Sequence, residues 1–328
     1  MPQGLLPKVA FEKPNRRKIL INSEYLAAGV KWQTVFDTIP GGDWSHSGIG
    51  VLPDERLVFE KLGGKGLVLF DENTGVTTEV ATNTQVCHGI FAQGDEVWIA
   101  DPGSGETDGQ VIRVNLKGEI LESVPAPVAS QYPGQHWRPT SLAYVSVPGK
   151  YFGELWIADG YGRSLIHRRL LSGEIITFDG SESGMSFDCP HGIAIDTRGS
   201  TPQIAVADRS NTRVVFFDME GHFLRSVSDP IMTSPSSLAV LRNQLVITDL
   251  FGAILSIDEG DRVQALVKTA GNNTRPGWPN RLVGEETVAP ELSEGVINSP
   301  HGITVAPNGK VYFTEWFLGG RVVSLSVS

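Results

Sequence analysis

The segment Cys189-Pro190-His191-Gly192-Ile193-Ala194-Ile195-Asp196 recurs, in variation, along this 328-residue chain. Cys87-His88-Gly89-Ile90 opens an earlier copy, and Ser299-Pro300-His301-Gly302-Ile303 opens the last. Each leads into a short alternating apolar run, a turn, and a second run that ends on an acid: Asp101, Asp208 and Glu315. Internal repetition constrains a fold more than any other sequence feature, because each copy must be one supersecondary unit that buries its core against its neighbours. Aligning on the histidine position gives six anchors: Ser47, His88, Thr140, His191, Ser236 and His301. Their spacings of 41, 52, 51, 45 and 65 residues suit four-stranded units. Such a unit takes roughly 40–50 residues, so the pattern predicts an all-β, six-bladed β-propeller.

Strands are legible within a unit. In the fourth, Gly192–Asp196, Gln203–Asp208, Thr212–Asp218 and Phe223–Ser228 read as four successive strands, with Gly, Asp and Asn punctuating the gaps. The last unit stops after a third strand over Arg321–Val327. The apolar run Trp32–Ile39 has no unit of its own, so it is expected to supply the missing strand and close the ring, which removes the sheet edges. The propeller is therefore expected over 32–328, with closing strand 32–39, after a leader at 1–31. Residues 272–297, containing Pro276-Gly277-Trp278-Pro279-Asn280, form an insertion before the last blade, either a lid or a packed loop.

A net charge of −10 and the lack of a basic stripe argue against a nucleic-acid partner. No apolar run approaches the ~20 residues that cross a membrane. The N-terminus lacks a signal-peptide core, so a cytoplasmic location is expected. Two cysteines, Cys87 and Cys189, make no disulfide framework, and both precede repeat histidines.

Histidine occupies the anchors of units two, four and six. In a closed ring of six, alternate blades lie about 120° apart, and the anchors begin the innermost strands. His88, His191 and His301 should therefore meet at the channel mouth, a donor set that suits zinc, iron or copper and leaves positions open for substrate. The competing reading has each histidine bonded within its own blade. The residues after the second strands should share this mouth, among them Lys61, Tyr161, Arg209 and Trp316. A tyrosine beside a metal and a cation can lose its proton below its usual pKa of about 10 and act as a base. Arg209 offers a fork for a carboxylate. The blander alternatives are an aromatic cap and a solvated surface arginine. His136 and Arg138, just before the third anchor, are further candidates to line the mouth.

These repeats resemble the NHL type. The ordered set His88, Asp159-Gly160-Tyr161, His191 with Ala207-Asp208-Arg209, and His301 is similar to the catalytic propeller of the peptidyl-hydroxyglycine alpha-amidating lyases, from about Ser47 to the C-terminus. The resemblance implies a zinc ion on His88, His191 and His301. It implies Tyr161 as the base that deprotonates a carbinolamide hydroxyl while the C–N bond breaks, and Arg209 as a carboxylate ligand. Lys61 stands where the family has a second arginine. Gly302 stands where the family has an aspartate ligand of a structural calcium, which puts calcium in doubt. The expected function is a metal-dependent, lyase-like enzyme acting on a small hydroxylated or carboxylate-bearing molecule, with catalytic Tyr161, Arg209 and Lys61 and substrate contacts from His136, Arg138 and Trp316. An oxidase or dehydratase is a variant of it. A calcium-dependent lactonase of the gluconolactonase type and a non-enzymatic NHL scaffold are the alternatives.

Overall fold

The computed structural model describes residues 25–45, 48–127, 132–269 and 271–328. The anchor Ser47 and the leader up to residue 24 lie outside the described residues. Among the described residues there is no α-helix, and no helix is long and apolar enough to cross a membrane. Six four-stranded antiparallel sheets carry the chain, each ordered from an innermost strand outward. The innermost strands are Ile49–Val51, Gly89–Gln93, Ser141–Tyr144, Pro190–Asp196, Pro235–Leu241 and Pro300–Val305. They contact one another in a closed cycle, which makes the structure a six-bladed propeller.

The sixth blade is completed from the N-terminus. Val30–Phe36 pairs antiparallel with the third strand Arg321–Val327, so the ring closes through the first and last strands of the blades. The closing strand starts two residues before the expected Trp32 and ends three before Ile39. Gly29 turns the chain at φ 83°, and the ladder is irregular between Thr34 and Phe36. Ahead of it, Tyr25–Leu26 adds a short fifth strand to the outer edge of blade five.

The second strand of each blade is sandwiched on both faces. It therefore reads as an uninterrupted apolar run, such as Leu155–Asp159 or Gln203–Asp208, instead of strict alternation. The core follows from this. Six apolar clusters each fill one seam between neighbouring blades, from Val58 with Val97 between one and two to Tyr312 with Phe59 between six and one. Stability is thus spread around the ring, and the axis is left to polar side chains.

Candidate active site

Anchor side chains reach the axis because the ladder breaks beneath them. Pro190 pairs with Asp208 and Gly192 with Ala207, so His191 is an extra residue, bulged out of the pairing. The same interruption falls at Ser236, between Pro235 and Ser237, and between Pro300 and Ile303 around His301. A bulge re-aims one side chain without ending the strand. After His191 and His88 the next residue is a glycine, and the neighbouring strand lies directly against it. A Cβ on Gly192 would lie 2.3 Å from Ser236 O, and one on Gly89 would lie 2.8 Å from Thr140 O. The inner strands come too close for any side chain there.

The acid that closes each second strand secures the approach to the anchor. Asp101 accepts from Gln85 N at 2.7 Å, Asp208 from Asp188 N at 2.8 Å and Glu315 from Asn298 N at 2.6 Å. Each of these donors lies three residues before a histidine. All three acids are buried. They hold the loops that lead into the anchors.

The three imidazoles converge. His88, His191 and His301 are buried, and their ligand atoms all lie within 4.8 Å of one another. Ring centres are 4.8–4.9 Å apart and the ring planes are steeply inclined, at 67°, 84° and 89°. His88 Nδ1 lies 2.6 Å from Thr140 O, and His191 Nδ1 lies 2.9 Å from Ser236 O. A carbonyl only accepts, so each Nδ1 carries the proton and each Nε2 keeps its lone pair. In both cases the acceptor is the backbone of the next anchor around the ring. Thr140 and Ser236 therefore orient His88 and His191 through their carbonyls, a role that no side chain announces in the sequence.

Tyr161 bridges this group. Its hydroxyl lies 3.2 Å from His88 Nε2 and 3.1 Å from His191 Nε2. Burial pushes the phenol up to about 12, against the pull of the hydrogen-bonded Arg209 guanidinium. Without a metal the phenol is therefore protonated at neutral pH and donates to one Nε2. Burial, with Arg209 adding to it, drives His88 down to about 3 and His191 well below its ordinary value. Both rings are neutral, the state in which imidazole binds metal. Two Nδ1 atoms fixed by backbone carbonyls, and buried neutral Nε2 atoms turned toward one another, are the donor chemistry that a transition metal requires.

Arg209 is 3% exposed. Its Nη2 donates to Ser236 Oγ at 2.9 Å, while its Nε has no hydrogen-bond partner among the described residues. The other buried arginines each face a carboxylate: Arg168 with Glu154, Arg213 with Asp208 and Arg321 with Glu315. Arg209 has no such partner among the described residues. A buried cation without an anion is costly, which makes this guanidinium a ready site for one.

The remaining candidates fall in different places. Lys61 reaches Glu79 on the outermost strand of blade one at 2.5 Å and lines a cleft of about 350 Å³ between blades six and one, so it turns from the axis. Arg138 is tied to the preceding blade's loop, with Nη1 3.0 Å from Pro102 O. His136 faces Asp108 at 3.0 Å and Glu106 at 3.7 Å. Both side chains thus engage the preceding blade's loop, Arg138 Nη2 also bonding Gly105 O at 2.5 Å. Trp316 is half-buried and belongs to the mouth. Its N–H bonds Ser299 O, two residues before His301, as Arg209 N bonds Cys189 O two residues before His191. Cys87 and Cys189 are free thiols, and burial pushes both up to about 11. Sequence reasoning missed Tyr132, whose hydroxyl links Asp159 at 2.8 Å to His167 at 2.7 Å beneath the Tyr161 turn.

No family model matches the chain. Mouse (Mus musculus) NHL repeat-containing protein 3 is 32% identical over 145 residues, which are 40% of this chain and 39% of that protein. The matched stretch thus spans about two fifths of the relative's length. A streptogramin B lyase structure superposes with a TM-score of 0.58 at 17% identity, covering 91% of this chain and 98% of that one. Virginiamycin B lyase from Staphylococcus aureus gives 0.59 at 12% identity, over 91% and 100% of the two chains. A gluconolactonase from Xanthomonas campestris gives 0.60 at 12%, over 92% and 91%. The sequence match supports NHL-type repeats and the superpositions support the propeller fold. Identities this low leave the amidating-lyase activity unsupported.

Proposed function

We propose that this protein is a metal-dependent, lyase-like enzyme acting on a small substrate that carries a hydroxyl and a carboxylate. The observation that carries this reading is the convergence of three buried histidines, two with Nδ1 fixed by neighbouring carbonyls, on a point that the Tyr161 hydroxyl also touches. A transition metal such as zinc, iron or copper on His88, His191 and His301 would supply Lewis-acid polarisation of a substrate oxygen.

The chain's own residues do the rest. Arg209, buried and without a carboxylate of its own, binds the substrate's carboxylate and fixes its orientation. The same guanidinium opposes the effect of burial on Tyr161 and favours its phenolate. The phenolate oxygen takes the proton of the substrate hydroxyl. The hydroxyl carbon becomes a carbonyl as its bond to the leaving nitrogen or oxygen breaks, and the bonding pair goes to that atom. Tyr161 then returns the proton to the leaving atom, so the residue ends as it began. Lys61 is left out of this scheme because its ammonium pairs with Glu79. The calcium-dependent lactonase and the non-enzymatic scaffold remain as outcomes of the test below.

Metal analysis of protein purified without chelators tests the reading. The expected result is close to one transition metal per chain, lost when His88, His191 and His301 are replaced by Ala. Tyr161→Phe should keep the metal and the fold while turnover falls. Calcium alone would point to lactonase chemistry, and an absence of metal would point to a binding scaffold.

A further inference from the structure

Three of the seven tryptophans, Trp98, Trp137 and Trp156, are core residues exposed by 2% or less, and Trp32 packs on Phe313 in the closing blade. The other three are half-buried, and they meet. Trp316 lies 5.5 Å from Trp44 and 6.0 Å from Trp278, and Trp278 lies 5.5 Å from Phe251. These four rings come from four separate stretches: the approach to blade one, the turn after the second strand of blade five, the insertion, and the turn after the second strand of blade six.

Their location follows from register. Tyr161, Arg209, Leu250 and Trp316 are equivalent residues. Each N–H bonds the carbonyl two residues before its own anchor: Arg138 O at 3.4 Å, Cys189 O at 3.1 Å, Ser234 O at 2.9 Å and Ser299 O at 2.9 Å. Tyr161 and Arg209 use this position to reach the histidines. Trp316 holds it in the blade of His301, and Phe251 follows it in blade five. The mouth is thus polar on the side of blades three and four and aromatic on the side of blades five, six and one. Trp278 is held in place. Asn298 Nδ2 bonds Pro279 O at 2.8 Å, Leu318 N bonds Asn280 Oδ1 at 2.9 Å, and Arg275 Nη2 bonds Asn298 Oδ1 at 2.8 Å. The Trp278 indole Nε1 is a buried donor that no described residue accepts.

We infer that Trp316, Trp278, Phe251 and Trp44 form an aromatic subsite beside the three histidines, which selects substrates carrying a planar apolar ring on the side opposite their carboxylate. The inference rests on the proposed substrate-binding role of Arg209. Aromatic rings pair edge-to-face and offset at centroid separations of roughly 4.5–7 Å, so the wall can receive a further ring.

The test compares 3-phenyllactate with lactate, two 2-hydroxy acids that differ by one ring, titrated calorimetrically into the full-length protein. Phenyllactate should bind about tenfold more tightly, on the scale of aromatic contacts. Trp278→Ala and Phe251→Ala should bring the ratio of the two affinities near one, while Trp278→Phe, which keeps a ring, should preserve most of it. Equal affinities in the wild type, or an unchanged ratio in Trp278→Ala, would overturn the subsite. Arg209→Met should weaken both acids by the same factor. If it weakens neither while the ratio persists, the carboxylate role fails and the aromatic subsite stands. If neither acid binds, both fail.

Discussion

Replacing Gly192 with Ala puts the link between fold and site under direct test. A Cβ at that position would lie 2.3 Å from Ser236 O and 2.8 Å from Ser237 Cα, both backbone atoms that cannot rotate away. Side-chain carbons essentially never approach closer than 3.0 Å, so the seam between blades four and five must open from 2.3 to at least 3.0 Å. The same Ser236 carbonyl holds His191 Nδ1 at 2.9 Å. If that strand moves as a unit, the bond stretches to about 3.6 Å, beyond hydrogen-bonding range. Strain of this kind costs about 1–3 kcal/mol and a lost buried hydrogen bond about 1 kcal/mol more. The less flexible unfolded chain returns about 0.4–1 kcal/mol. The net loss of about 1–4 kcal/mol, set against an unfolding entropy of about 0.7 kcal/mol/K for a chain of this length, corresponds to a fall in Tm of roughly 1.5–5 °C. Releasing the second nitrogen of a ligating histidine typically weakens metal binding 10–100-fold. Thermal melts and chelator competition read the two effects, with Gly199→Ala as the control, since only Thr201 O at 3.8 Å lies near its Cβ. A Gly192→Ala protein that melts with the wild type and holds metal equally well would refute the argument.

Two arginines adjacent to the same strand turn should respond in opposite ways. Arg209→Met removes a buried charge that faces no carboxylate and should leave stability unchanged or higher in urea titrations, at the expense of substrate binding. Arg213→Met strands the buried Asp208, 2.7 Å from Arg213 Nε, and should cost about 3–5 kcal/mol. Equal losses in the two variants would contradict the assignment of Arg209 as an anion site. His167 should set part of the acid sensitivity. Burial drives its pKa down to about 4, so its contribution is complete above the unfolded value near 6.5 and is lost as pH falls toward 4. Burial raises Asp159 to about 6, which gives the opposite slope over much of this window. His167→Gln should therefore lose about 2–3 kcal/mol less than the wild type between pH 7 and pH 4.5, measured by urea unfolding at both. Parallel pH profiles would show that His167 takes up no proton on unfolding.

The repeat register was readable from the chain alone because a blade is built from local pairings. Runs such as Gln203–Asp208 and Phe223–Val227 alternate with turns that recur in each copy, and the strand Arg321–Val327 matched its expected limits. The alternation of His88, His191 and His301 with Thr140 and Ser236 was equally readable, and ring closure turns that alternation into convergence on the axis. What lies between blades was not readable. Lys61 occupies a suitable position in its repeat, yet Glu79 on the outer strand draws its ammonium outward. His136 and Arg138 precede the third anchor, yet they engage Asp108 and Pro102 O in the neighbouring blade's loop. The acids that end the second strands were visible as a pattern, but their role as clips for backbone N–H groups was not. The carbonyls that orient His88 and His191 carry no side-chain signature, because any residue at 140 or 236 would present the same oxygen. The sequence alone determined the number of blades and which anchors are imidazoles, since both are local and periodic. The tertiary structure decided which neighbours those side chains meet and which charges stay uncompensated, since those contacts join residues tens of positions apart and follow from how the blades pack.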